Sequence, residues 1–177
     1  VTVQDVVWAY SGVRPLYDDG ATSATAATRD YVLKLDTDGP PLLSAFGGKI
    51  TTYRRLSEHA MDKLAVPLGA TKGAWTARVP LPGGDFALQD KPRLTQDLIA
   101  AHPFLTPAWA ARLIRQYGTD AQRILGQSTS ADALGQDFGA TLTEAEVRWL
   151  MTHEFARRAA DVVWRRSKLG LRLTVDQ

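Results

Sequence analysis

Apolar and polar positions alternate most cleanly in "RDYVLKLD", where Tyr31, Leu33 and Leu35 interleave with Asp30, Val32 and Lys34. A period of two puts one set on a single face, as in a strand with one buried side. "VVWAYSGVRPL" before it and "PLLSAF" after it also read as strands. "TDGPP", Thr37 to Pro41, reads as a hairpin-type turn into the last of them. Just past Phe46 the period changes. Tyr53, Leu56, Ala60 and Leu64 recur at helical spacing with Met61 beside them, which predicts a helix. Thr51 or Thr52 can cap its start, and Pro67 marks its end.

Residues 68–92, "LGATKGAWTARVPLPGGDFALQDKP", are rich in glycine and proline and hold no period, so they read as a linker or an extended crossing between two units. Beyond them the pattern is helical. "TPAWAARLIRQYG" puts Thr106 at an N-cap, Pro107 at the first helical position and Gly118 just past the end. "TEAE", Thr143 to Glu146, has capping-box spacing, with Val147, Leu150 and Met151 following on one face. "DVVWRRSKLG" opens at Asp161 and closes at Gly170, and "DDGATSATAAT", Asp18 to Thr28, is a small-residue loop without a period. The expected layout is an α+β fragment. Strands and one helix occupy 1–67, a linker 68–92, and a mainly α-helical domain 93–177.

Composition narrows the classes. Over 177 residues, 45% are apolar and 23% charged, as in an ordinary globular protein with enough chain for a core. A net charge of +2 is too small to imply a nucleic-acid partner. Without cysteine, disulfides and thiolate metal sites are excluded, which fits a reducing compartment. No apolar run approaches the roughly 20 residues that span a bilayer. The opening "VTVQDVVWAY" does not read as a signal peptide, having no basic leader before an apolar core. Starting at Val1 rather than methionine, the chain is expected to be part of a longer protein.

The chemistry-bearing stretch is "PLLSAFGGKITTYRRL", an apolar run that meets two glycines and a lysine and turns helical at once. It is not a P-loop, because Leu43 stands where the first glycine should be and Ile50 follows the lysine. The spacing G-x-G-x-x-G occurs nowhere. Two readings remain: an anion or cofactor contact at a helix start with Lys49 adding charge, or a tight strand-to-helix turn with a solvated lysine. Arg14, held extended by the proline after it, can aim a guanidinium at a carboxylate or phosphate, or pair with Asp18 or Asp19. Arg29 is a similar strand-entry arginine. "HEFAR" begins like a zinc-protease H-E-x-x-H but ends in Arg157, and His59, His102 and His153 show no metal spacing, so no metal site is expected. The basic run around Arg157, Arg158, Arg165, Arg166, Lys168 and Arg172 reads either as solvated faces or as a patch for an anionic membrane surface.

In their order, "WAYSGVRPLYDD", "TRDYVL" and "PLLSAFGGKITTYRRLSEHAMDKL", followed by "LPGGDF", "HPFLTPAWAARLIRQYG" and "DFGATLTEAEVRWLMTHEFARRAADVVWRRSKLG", resemble the later part of the bacterial aerobic glycerol-3-phosphate dehydrogenase family. The resemblance runs colinearly over essentially the whole chain. It implies the end of an FAD-binding α/β oxidoreductase domain followed by a helical C-terminal domain. By that likeness Gly47, Gly48, Lys49, Ile50 and Thr51 would touch FAD, Lys49 would lie near the reacting centre, and Arg14 and Arg29 would line the substrate pocket. It further implies oxidation of glycerol 3-phosphate to dihydroxyacetone phosphate, quinone as acceptor, and a cytoplasmic homodimer peripheral on the inner face of the membrane. The family's N-terminal half, with its glycine fingerprint, has no counterpart here, so this piece alone is expected neither to retain FAD nor to turn over. A glycerol-3-phosphate oxidase, or a non-catalytic helical module for dimer, membrane or partner contact, are the alternatives.

Overall fold

A computed structural model describes residues 1–13, 16–18, 20, 30–174 and 176–177. The small-residue loop from Asp18 to Thr28 falls almost wholly outside them, as do Arg14 and Arg29. The chain divides into two compact units, Ala9–Val79 and a second made of Val1–Trp8 with Pro80–Gln177.

In the first unit, β1 (Tyr31–Asp36) pairs antiparallel with β2 (Leu42–Gly47), in a register that sets Tyr31 opposite Gly47 and Asp36 opposite Leu42. The two strands and their connection follow the alternation in the sequence. The expected strand in "VVWAYSGVRPL" is absent among the described residues. A 3-10 turn at Val3–Asp5 is followed by irregular chain, because a strand needs a ladder partner and β1 and β2 pair only with each other. Helix α1 spans Tyr53–Leu68 and runs through Pro67 instead of stopping before it. It ends at Gly69, whose left-handed φ of 63° lets its N–H reach the Val66 carbonyl while Ala70 N–H reaches that of Ala65. No described residue of this unit is buried.

The second unit holds the core. It contains α2 (Lys91–Ala101), α3 (Pro107–Tyr117), α4 (Ala121–Leu125) and α5 (Glu144–His153). Helix α3 starts as its sequence dictates, with Trp109 N–H donating to the Thr106 hydroxyl at 3.2 Å and Pro107 at the first position. Its buried face, Ala110, Leu113, Ile114 and Tyr117, packs in one cluster with Leu98, Leu125, Trp149 and Leu150. Part of the glycine-rich stretch before α2 is fastened here. Thr119 N–H donates to the Gly83 carbonyl at 3.0 Å, and a Cβ on Gly118 would fall 1.8 Å from that same oxygen, so the two backbones cross where no side chain fits.

The expected capping box at the start of α5 does not form. Thr143 is the N-cap residue but its side chain caps nothing, and Glu146 turns inward. Its carboxylate, 1% exposed, takes both Arg112 terminal nitrogens at 2.7 Å and the Tyr117 hydroxyl at 2.7 Å. Arg112 also donates from Nε to the Thr141 hydroxyl and from Nη2 to the Thr141 carbonyl. A buried bidentate pair with a third donor on the same carboxylate outweighs a cap on an exposed helix end. The segment after α5 is short-turned: Asp161–Arg166 forms a π-type turn and Leu169–Leu171 a 3-10 turn. The Asp161 carboxylate accepts the N–H groups of Arg157 and Arg158 at 2.8 and 2.9 Å, and these bonds hold its pKa below the usual aspartate value.

Two outcomes follow for stability. Removing one member of the buried pair leaves a charge uncompensated, so Arg112→Met or Glu146→Leu alone should each cost about 3–5 kcal/mol, while the double variant should be more stable than either single variant, as read by denaturant melts. Burial, and then the Glu146 carboxylate, push the Tyr117 hydroxyl far above the ordinary tyrosine value. The unfolded chain releases that proton near pH 10 and the folded one does not, so this contribution is intact below about pH 10 and is lost as pH rises beyond it. Tyr117→Phe should flatten that alkaline limb of the stability–pH curve.

Candidate functional site

The strand-to-helix turn is built by backbone. Gly47 closes β2 with φ 68° and Gly48 follows with φ 96°. Two successive left-handed residues are glycine territory, and they swing the chain off the ribbon before a helix can begin. Space is not what demands glycine at position 48, since a Cβ there would meet only ordinary contacts with Tyr31 at 3.4 Å and Leu56 at 3.6 Å. Lys49 returns to extended geometry, φ −125° and ψ 147°. It caps a 3-10 turn, Ile50–Thr52, that runs straight into α1.

Neither expected cap donates or accepts as a side-chain cap. The Thr52 hydroxyl instead donates back to the Lys49 carbonyl at 2.9 Å, alongside its own N–H at 3.0 Å. The first N–H groups of a helix have no intrahelical partner and are available to other acceptors. A depression of about 670 Å³ lies there, lined by Tyr10, Gly12, Val13, Gly48, Lys49, Ile50 and Thr51. The structure thus brings Gly48, Lys49, Ile50 and Thr51 to one surface. Gly47 precedes them in the turn and is not among the lining residues. Lys49 has no ion-pair or hydrogen-bond partner for its side chain among the described residues.

Tyr10, Gly12 and Val13 were missed in the sequence, although they sit in the same "WAYSGVRPL" stretch that drew attention to Arg14. The signal was adjacency along that stretch. Ile50, Val13 and Tyr10 are 86%, 96% and 82% exposed, so the surface is apolar in part and open. It offers close backbone approach, a positive charge and a flat apolar rim, a donor set suited to a planar, electron-rich or anionic group.

Other candidates resolve into structure. His102 is buried, with Nδ1 2.9 Å from the Ser128 carbonyl and Nε2 3.0 Å from the Gln122 amide. His153 ends α5 and stacks on Trp149 at 3.8 Å. Among the described residues no group of His, Asp or Glu side chains is gathered as a metal ion would need.

Known proteins bear on these features. The chain is 47% identical over 176 residues to the aerobic glycerol-3-phosphate dehydrogenase of Escherichia coli (strain K12), covering 98% of this chain and 35% of that protein. It is 45% identical to the glycerol-3-phosphate dehydrogenase of Pseudomonas aeruginosa over 98% of this chain and 34% of the relative. It is 41% identical to the D-erythritol 1-phosphate dehydrogenase of Brucella abortus over 97% of this chain and 34% of the relative. The chain therefore spans about a third of the length of the curated relatives it matches. Residues 74–175, more than half of the chain, match the family model described as the C-terminal domain of alpha-glycerophosphate oxidase, and the chain belongs to that family.

Proposed function

We propose that the chain is the C-terminal part of an FAD-dependent oxidoreductase that converts sn-glycerol 3-phosphate to dihydroxyacetone phosphate. The observation that carries this reading is the turn itself. Two left-handed glycines are followed by an unpartnered Lys49 on an open depression, in a chain nearly half identical along its length to an aerobic glycerol-3-phosphate dehydrogenase. The relatives named above share a substrate class, a phosphorylated polyol.

Gly47 and Gly48 would admit the flavin ring close to backbone, and Ile50 and Thr51 would border it. FAD, when bound, would supply the N5 acceptor for the hydride leaving C2 of the substrate, with the C2 hydroxyl proton released alongside it and quinone as the final electron acceptor. Lys49 holds a positive charge where negative charge would develop on reduction, and it acts by electrostatics rather than by moving a proton. Arg14 and Arg29 are proposed to grip phosphate or hydroxyl oxygens. Residues 1–67 would complete the FAD- and substrate-binding domain, 68–92 link it, and 93–177 form the helical domain. The complete enzyme would be a homodimer lying peripherally on the inner face of the cytoplasmic membrane. No described helix is long and apolar enough to cross a bilayer. The description of the matching family model also favours a second reading, an oxidase returning electrons to oxygen.

The chain alone should not retain flavin, because no described residue of Ala9–Val79 is buried and the depression is open. An absorbance spectrum of the purified chain showing stoichiometric flavin would overturn this. In the complete enzyme, Lys49→Met should lower kcat by about a hundredfold or more, measured with an artificial dye acceptor. Retained activity in that variant would remove Lys49 from the reaction. Peroxide release by the unsubstituted enzyme would assign it to the oxidase class.

A further inference from the structure

The helical unit carries a second depression, of about 550 Å³, lined by none of the residues of the Gly47–Thr51 turn. It lies between the exposed side of α3 and the chain after α5. Its charged lining is cationic throughout: Arg112 and Arg115 from α3, and Arg166, Lys168 and Arg172 from the later segment, with no carboxylate among the lining residues. The volume falls in the range of small-ligand sites, about 300–1,000 Å³.

These cations are not equivalent. Arg112 is already neutralised by Glu146. Arg166 touches Glu154 only at 3.5 Å, with both side chains about two-fifths exposed. Lys168 is held at the rim: its ammonium donates to the Trp164 carbonyl and stands 4.7 Å from the Trp8 ring, which itself stacks on Trp164 at 5.2 Å. Its backbone is left-handed, φ 61°, a conformation a lysine adopts only where its surroundings impose it. Arg115 and Arg172 have exposed side chains and no ion-pair or hydrogen-bond partner among the described residues.

We propose that this depression is a binding site for a phosphate group, read by the free guanidinium forks of Arg115 and Arg172 with Lys168 at the rim. Guanidinium forks match phosphate oxygens bidentately. Two such forks with no competing carboxylate select a compact, highly charged anion over chloride. The same chemistry recognises a free phosphate or phosphate ester and a phospholipid headgroup.

The test uses the full chain, titrated with inorganic phosphate at constant ionic strength set by chloride and followed by calorimetry. In parallel, the chain is sedimented with phosphatidylcholine vesicles with and without phosphatidylglycerol. The Arg115→Gln/Arg172→Gln variant is compared with Arg93→Gln/Arg148→Gln, which removes the same charge from surface pairs elsewhere, and circular dichroism verifies the fold of each. Saturable phosphate binding that weakens by about tenfold or more in the first variant and not in the second supports the site with a soluble source. Phosphatidylglycerol-dependent sedimentation with the same variant pattern supports it with a lipid source. Arg115→Lys/Arg172→Lys should recover part of the binding but not all, because the fork is lost. Absence of binding in both arms, or equal loss in both glutamine variants, overturns the proposal. Neither readout depends on flavin or turnover, so failure here leaves the oxidoreductase reading standing, and the reverse also holds.

Discussion

The helical unit is organised by one buried ion pair. Glu146 and Arg112 stand 34 positions apart in the chain, and their bidentate contact clamps α3 against the start of α5. Such a pair contributes little net stability, because desolvating two charges costs roughly what their attraction returns. Its value is in register. Only one rotation of α3 places Arg112 on Glu146, the Tyr117 hydroxyl on the same carboxylate, and Leu113 and Ile114 in the core. Thr141 and Gln116 complete the arrangement by taking the remaining guanidinium donors. A slipped helix would bury an unpaired charge, and that cost is what excludes it.

The two units differ in how they are held. Pro80–Gln177 with Val1–Trp8 carries a continuous apolar cluster, while Ala9–Val79 has a two-stranded ribbon and one helix without a buried residue. A two-stranded ribbon is marginal by itself, and Phe46, Ile50, Tyr53 and Met61 remain 40% or more exposed. Under the proposed function this division has a consequence. The turn that would face the flavin sits in the unit with the least packing of its own. Its geometry then rests on backbone conformation, the paired glycines and the Lys49 carbonyl bonds, rather than on a surrounding core.

What was legible in the sequence was what is decided locally. Thr106, Pro107 and Gly118 delimit α3 because a cap, a fixed φ and a left-handed glycine act within a few residues. The alternation from Tyr31 to Leu35 marked β1 for the same reason. Long-range competition was not legible. The Thr143 to Glu146 spacing satisfied the capping-box pattern, yet the carboxylate went to an arginine on another helix. The apolar run before Arg14 had strand character but no ladder partner. Residues 80–84 lie in the stretch read as a linker or crossing, and the backbone contact between Gly83 and Gly118–Thr119 fastens them within the helical unit. At the turn, the glycines and Lys49 were visible as a motif, but the convergence of Tyr10 and Val13 on it required the fold.

Charge follows the same division between local and distant. Arg54, Arg93, Arg148 and Arg165 each have a carboxylate four residues away, and each forms the corresponding surface pair. Such solvent-screened pairs contribute little and need no further explanation. Arg115 differs at the level of sequence. One turn away in either direction lie Ala111, Arg112, Gly118 and Thr119, so its own helix offers no acid and one like charge. Glu146 screens Arg112 from within, which lowers the repulsion but supplies nothing to Arg115. Across the depression, Lys168 and Arg172 add charge of the same sign. Like charges gathered in one concavity raise one another's free energy, and a bound anion relieves all of them at once. The buried pair that sets the register of α3 therefore also fixes which of its arginines is left facing outward, charged and without a carboxylate.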